Sequence, residues 1–280
     1  MKRFCLLHVS LGLTIILLSV VACKPADVPS SHTWDAEPVL ISLFTSANNT
    51  KIVYYEWSKL PDLVVYADGR VLIAREDPQR IIYEAHIQPT EICSLLRQIA
   101  TDGFWDLQQK DYATVKDADL QTIWLSVNAW QHKEVSVYGF EVAPSGMPIP
   151  SAFKATYLRF RDYTPPRLQI FQPDKLVVTV IELDQQQTAV EWPLQKPSLA
   201  DLRSKENSDW SGIIIDGQEA SDIYKLFAGD FSRTYQQGGK IYQLTIRPLL
   251  PFEIWETNRN WTKPPVFQTT PISKLECPTK

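Results

Sequence analysis

Residues Leu63 to Ile73 read LVVYADGRVLI, and this segment defines the first element of the fold. Two runs of β-branched, aromatic and other apolar residues flank the dipeptide Asp68-Gly69. Because Asp and Gly tolerate the positive φ of a type I′ turn, the pattern predicts a β-hairpin closed by a two-residue turn. The N-terminal half of the chain is therefore expected to contain antiparallel strands.

Further strands are predicted on both sides of this hairpin. Val39–Phe44 is an apolar run of strand length, and 52–57 is a second candidate. Apolar and polar residues alternate from Ile123 to Val127, which predicts a half-buried strand with Val135–Val137 as its hairpin partner.

Between these strands, one amphipathic helix is predicted. Pro89–Glu91 supplies a cap residue and an acid in the first turn. Gly103 stands where a left-handed C-terminal cap is expected. The apolar residues that recur with helical spacing are Ile92, Leu95, Leu96 and Ile99.

The second half of the chain repeats this pattern. Pro197–Asn207 is a loop or a short helix, Ile213–Ile215 is predicted to be a buried strand, and Asp216 is placed before a helix. The apolar stripe of that helix consists of Ala220, Ile223, Tyr224 and Phe227. Other strands are predicted at 168–171, 176–183, 188–192 and 241–247. The predicted fold class is α+β, with two antiparallel β-sheet modules that are each covered by one amphipathic helix.

Composition shifts and proline-rich stretches suggest where these modules begin and end. The predicted organisation is a signal peptide over 1–22, a tether over 23–38, an N-terminal α+β module over 39–163, a C-terminal α+β module over 164–256, and a proline-rich tail over 257–280.

The N-terminus has the features of a secretory signal. Lys2 and Arg3 precede an apolar run, Phe4–Ala22. The run ends in Leu18-Ser-Val-Val-Ala-Cys23, which resembles the lipobox of bacterial lipoproteins. The resemblance implies cleavage before Cys23 and acylation of its sulfur, with palmitate-type chains as the membrane anchor. An uncleaved signal anchor with a chance cysteine is the alternative. The predicted localisation is a bacterial cell membrane, facing outside the cytoplasm.

Charge and composition exclude several classes of function. The chain has 280 residues, with 28 basic and 32 acidic side chains and a formal net charge of −4, so nucleic acid is not an expected partner. The glycine loops of nucleotide-binding proteins and the hydrolase motif G-x-S-x-G are absent from the sequence. No cofactor and no catalytic residue are predicted.

No metal site is predicted either. His32, His86 and His132 are far apart in sequence and form no zinc-binding pair. Asp111, Asp117 and Asp119 could supply oxygen ligands to calcium, but they lack the glycine turn and the distal Glu of an EF-hand. A solvated acidic loop is the favoured interpretation.

Two cysteines remain in the body of the chain after the signal and Cys23. Outside the cytoplasm Cys93 and Cys277 can form a disulfide, while two independent thiols are the alternative. A bridge would link the C-terminal tail covalently to the body of the protein.

Segments in both halves carry a family resemblance. These are 60–71, 103–107, Trp192-Pro-Leu194, the helix start at 216–220, and Arg247-Pro-Leu-Leu-Pro251. Together they resemble a group of uncharacterised bacterial lipoproteins. The resemblance implies the architecture and the lipid anchor, but no functional residue, because that group has no established activity.

Two functions are compatible with these features. The first is a binding or interaction module of the cell envelope, anchored to the membrane and facing a protein or glycan partner. The alternative is an envelope hydrolase whose acidic catalytic residues are scattered in the sequence. A cleft in which two carboxylates or a histidine converge with perturbed pKa values would favour the hydrolase.

Overall fold

The structure is a computed structural model that describes residues 33–36, 38–46, 60–76, 80–108, 111–113, 121–140, 149–184, 188–205, 212–227, 229–255, 264–268 and 273–277. Its helices are α1 Pro89–Thr101, α2 Ser151–Arg161, α3 Leu199–Lys205 and α4 Gly217–Phe227. Its strands are β1 Thr33–Ala36, β2 Val39–Ser46, β3 Leu63–Tyr66, β4 Arg70–Glu76, β5 Arg80–His86, β6 Asp111–Ala113, β7 Thr122–Asn128, β8 His132–Tyr138, β9 Gln169–Ile170, β10 Lys175–Leu183, β11 Val190–Glu191, β12 Ile213–Asp216, β13 Ser232–Gln237, β14 Lys240–Pro248, β15 Glu253–Ile254, β16 Val266–Phe267 and β17 Ser273–Glu276.

The predicted hairpin lies inside an eight-stranded sheet, here called the large sheet. Its strand order is β6-β8-β7-β2-β3-β4-β5-β9, and every pairing except β6 with β8 is antiparallel. The strands predicted at Val39–Phe44 and Ile123–Val127 are confirmed as β2 and β7. The candidate at 52–57 lies outside the described residues.

The hairpin is confirmed, but the predicted two-residue turn is wrong. Val65 pairs with Val71, β3 ends at Tyr66 and β4 begins at Arg70, so three residues, 67–69, connect the strands. The Gly69 N–H donates to the Tyr66 carbonyl at 3.1 Å, and only Gly69 has a positive φ, 92°. This is a type I turn followed by a left-handed glycine. A shift of one residue would turn Val71 and Ile73 away from the core side of the sheet, so burial sets this register.

Two helices cover one face of the large sheet. The predicted helix is confirmed as α1, and its buried residues are Ile92, Cys93, Leu95, Leu96, Ile99 and Ala100. The structure adds α2, which buries Phe153, Tyr157 and Phe160 in the same core. A bidentate ion pair joins the helices: Arg159 Nε and one terminal nitrogen of Arg159 each lie 2.9 Å from an Asp102 carboxylate oxygen.

The second half forms a five-stranded sheet, here called the small sheet, in the order β11-β13-β14-β10-β12. Residues of α3 and α4, among them Leu202, Ile223 and Phe227, pack on strand residues Val178 and Leu244. Four α-helices and mainly antiparallel sheets in the described residues confirm the α+β class. The prediction of one covering helix for each sheet is wrong, because two helices pack on each. The prediction of a buried strand at Ile213–Ile215 is wrong for Ile214, which is 52 % exposed because β12 is an edge strand.

The segment that follows the small sheet packs on the other face of the large sheet. Val64, Tyr66 and Leu72 form a core cluster there with Phe171 and Leu250. The Tyr66 hydroxyl donates to the Pro251 carbonyl at 3.3 Å. The segment that follows β14 therefore packs on the hairpin that lies near the start of the fold.

A buried ion pair shapes this segment. An Arg247 terminal nitrogen lies 2.5 Å from a Glu253 carboxylate oxygen, and both side chains are fully buried. The other Glu253 oxygen accepts a hydrogen bond from the Leu250 N–H at 3.1 Å. Arg247 also lies 5.7 Å from the centroid of the Trp255 ring. These contacts close residues 247–253 into a compact turn.

The described parts of the C-terminal tail form two short strands, each paired with another strand of the chain. β16 pairs with β15, and β17 pairs antiparallel with β1. Cys277 directly follows β17 and is joined by a disulfide to Cys93 in α1, with the Cα atoms 5.4 Å apart. Both cysteines are buried. In the described part of the chain, no helix combines the length and apolarity that a membrane crossing requires.

Candidate functional site

Two neighbouring clefts lie on either side of the C-terminal end of α2. The first, here called the helix cleft, lies between α1 and α2 and has a volume of about 580 Å³. Its polar wall consists of Glu91, Ser94, Gln98, Arg159, Asp162 and Thr164. The second, here called the arginine cleft, has a volume of about 400 Å³. Its polar wall consists of Thr45, Asp62, Arg75, Arg80, Gln121 and Arg161.

The end of the large sheet supplies most of the arginine cleft. Strands β2 and β4 end there, while β3, β5 and β7 begin there. Arg75 comes from the end of β4 and Arg80 from the start of β5, so one β-hairpin carries both guanidinium groups. Arg161 comes from the last turn of α2, which lies over the sheet.

Each of the three arginines has a different set of partners. Arg80 donates to an Asp62 carboxylate oxygen at 2.8 Å and to the Leu60 carbonyl at 2.8 Å. Arg161 donates to both oxygens of the adjacent Asp162, at 2.8 and 3.1 Å.

Arg75 contacts only uncharged acceptors. It donates to the carbonyls of Arg161 and Tyr163, at 3.1 and 2.6 Å, and lies 3.5 Å from the Thr164 hydroxyl. Among the described residues, Arg75 is therefore the arginine of this cleft that donates no hydrogen bond to a carboxylate, although its charge acts on the nearby Asp162.

Electrostatics in the helix cleft favour an ionised carboxylate. The hydrogen bond from Arg161 lowers the pKa of Asp162, and the charges of Arg161 and Arg75 lower it further. Burial raises the pKa of the Tyr163 hydroxyl, and the nearby Glu91 raises it further. A general acid needs a carboxyl with a raised pKa, so Asp162 has the wrong direction for that role. The arrangement is suited to binding through hydrogen bonds and charge.

The residues singled out in the sequence lie elsewhere. His86 is exposed on β5, and the His132 ring nitrogen Nδ1 lies 3.1 Å from the Asn128 amide oxygen. Cys23, His32, Asp117 and Asp119 lie outside the described residues. The backbone of Asp111 lies in β6. The described residues contain no group of three or more side chains suited to a metal ion.

Sequence reasoning missed the residues of both clefts because it missed α2. Proline residues before Ser151 suggested only a break in the chain, yet Phe153, Tyr157 and Phe160 recur with helical spacing. That stripe was the signal that would have placed Arg161 and Asp162 at a helix end. A search for similar proteins found no matching family model, curated protein or solved structure.

Proposed function

We propose that this chain is a lipid-anchored binding module of the bacterial cell envelope, which holds a protein or glycan partner through the two clefts beside α2. The membrane anchor in this proposal is Cys23, at the end of the apolar run Phe4–Ala22. Two acyl chains on one cysteine give stable attachment, at about 0.8 kcal/mol per buried CH₂.

The disulfide supports a location outside the cytoplasm. Disulfides persist in oxidising compartments, and the cytoplasm keeps most thiols reduced. The bond between Cys93 and Cys277 is buried and ties the described end of the chain to the first helix. This placement is typical of a structural disulfide in an exported protein.

The observation that carries the binding role is the pair of open clefts. Their volumes, about 580 and 400 Å³, are in the range of ligand sites. Charged and amide side chains converge on them from α1 and α2, from β4 and β5, and from the residues that precede β3 and β7. Arg159, which lines the helix cleft, holds α1 and α2 together through Asp102. A rigid and polar wall of this kind favours recognition by hydrogen bonding.

Site-specific photo-crosslinking in intact bacteria tests the proposal. A benzophenone side chain placed at Gln98, on the wall of the helix cleft, is expected to give one discrete adduct. The control position is Lys225 on α4, whose side chain is 59 % exposed and lies outside both clefts. The proposal fails if Gln98 gives no adduct, or if the two positions give the same adducts.

A further inference from the structure

We infer that the arginine cleft is a binding site for a small anionic group, a carboxylate or a phosphate, and that Arg75 is the residue that holds it. The inference rests on the proposed binding function and specifies the chemistry of its ligand. Three guanidinium groups and one carboxylate line the cleft, so donors with positive charge dominate its polar wall.

The partners of each arginine single out Arg75. Asp62 balances the charge of Arg80, and Asp162 balances that of Arg161. Arg75 is held by two backbone carbonyls, which orient the guanidinium without forming an ion pair with it. A guanidinium presents five N–H donors in a planar fork that matches the two oxygens of a carboxylate or phosphate.

The neighbouring arginines complete the site. Arg161 lies 5.7 Å from the centroid of the Tyr157 ring, a contact that holds its guanidinium along the wall of the cleft. Its side chain is 52 % exposed, and the Arg80 side chain is 21 % exposed. Gln121 adds an amide to the wall, at the start of β7. A bound anion would therefore meet donors from the sheet and from α2.

A purely structural role for Arg75 makes a different prediction. Arg75 donates to the carbonyl of Arg161, the last residue of α2, and to that of Tyr163 just beyond it, and a cation in that position stabilises a helix end. If this were its whole role, Arg75→Gln would lower the melting temperature and leave anion binding unchanged. The binding site requires that the same variant also loses affinity for anions.

The test is an NMR titration of the full-length protein in detergent, with the arginine Nε–H signals as the readout. The probes are inorganic phosphate and acetate, with chloride at the same ionic strength as the reference. We expect a saturable shift of the Arg75 signal with at least one probe. We expect Arg75→Gln to weaken that binding about tenfold, the typical loss for a charge-assisted hydrogen bond.

Two further variants keep the test decisive if Arg75→Gln folds poorly. Arg161→Gln changes an exposed side chain and should weaken binding by a smaller factor, while Arg75→Lys should restore part of it. The matched control is Arg233→Gln in the small sheet, where Arg233 is paired with Asp230 at 2.7 Å, and it should bind as the parent does.

A lipid headgroup and a free metabolite could both supply the anion. Vesicles of phosphatidylglycerol, compared with vesicles of phosphatidylcholine, separate these sources when the unlipidated Cys23→Ser variant is used. Arg75-dependent binding to the anionic vesicles identifies a headgroup, and saturation by phosphate or acetate alone identifies a free ligand. The inference is overturned if every Arg75 response follows ionic strength alone. Adducts at Gln98 would persist in that case, so the proposed function would stand without it.

Discussion

The large and small sheets of this protein are stabilised in different ways. Around β3 and β4 the large sheet is buried on both faces, by α1 and α2 on one side and by the segment after β14 on the other. The small sheet has its main core on one face, and its edge strands expose Val190 and Ile214. The disulfide and both clefts beside α2 belong to the large sheet, so a more constrained scaffold supports the candidate site.

The largest expected effect comes from the buried ion pair between β14 and β15. Replacing Arg247 by Met leaves Glu253 buried without its cation and should cost about 3–5 kcal/mol of unfolding free energy. Arg233→Met breaks a pair whose side chains are 37 % and 38 % exposed, and should cost about 1 kcal/mol or less. Denaturant unfolding measures both. Equal losses would contradict the role assigned to burial.

Removing the disulfide should affect the stability of the two sheets differently. The double variant Cys93→Ser, Cys277→Ser should lose about 2–4 kcal/mol, because the bond closes a long loop in the unfolded chain. Hydrogen exchange should accelerate in α1 and leave β10 and β14 close to the parent. Uniform acceleration would show that the two sheets unfold as one unit.

Two glycines with positive φ provide a matched comparison of turns. At Gly69 an added Cβ would clash with the Ile87 carbonyl oxygen, whereas at Gly239 it would meet nothing within 4 Å. Gly69→Ala should therefore cost about 2 kcal/mol or more, and Gly239→Ala about 1 kcal/mol, from backbone strain alone. Thermal melts of both variants test the difference. The turn assignment is wrong if Gly69→Ala has the same melting temperature as the parent protein.

The effect that is smallest at neutral pH is a pH dependence in the small sheet, which appears only above pH 10. Burial raises the pKa of Tyr224 from 10.0 to about 12. The unfolded chain then loses this proton first, so the contribution of Tyr224 to stability is complete below pH 10 and is lost as the pH rises toward 12. Tyr224→Phe should flatten that part of the unfolding profile. Identical slopes for variant and parent above pH 10 would contradict it.

Local features of the fold were predictable, and features that depend on distant contacts were not. The hairpin at Asp68-Gly69 and the stripe of α1 follow from neighbouring residues. The turn type depends on which residues of β4 face α1 and α2, and the exposure of Ile214 depends on the position of β12 at an edge.

The candidate site shows the same contrast between features set by neighbouring residues and features set by distant contacts. Arg75 and Arg80 are close in sequence, but Arg161 reaches them only through α2, which the sequence analysis missed. No local pattern marks Arg75 as the arginine of the cleft that is held by backbone carbonyls. Its partners Arg161 and Tyr163 are more than eighty residues away in the chain.

The most direct test of the central claim is the mass of the N-terminal peptide of the protein isolated from the cells that produce it. We predict a peptide that begins at Cys23 and carries a diacylglycerol group on sulfur, with residues 1–22 removed. Cys23→Ser should abolish this species and leave the signal uncleaved at that site. A native peptide that begins at Met1, with an unmodified Cys23, would contradict the account of a lipid-anchored binding module.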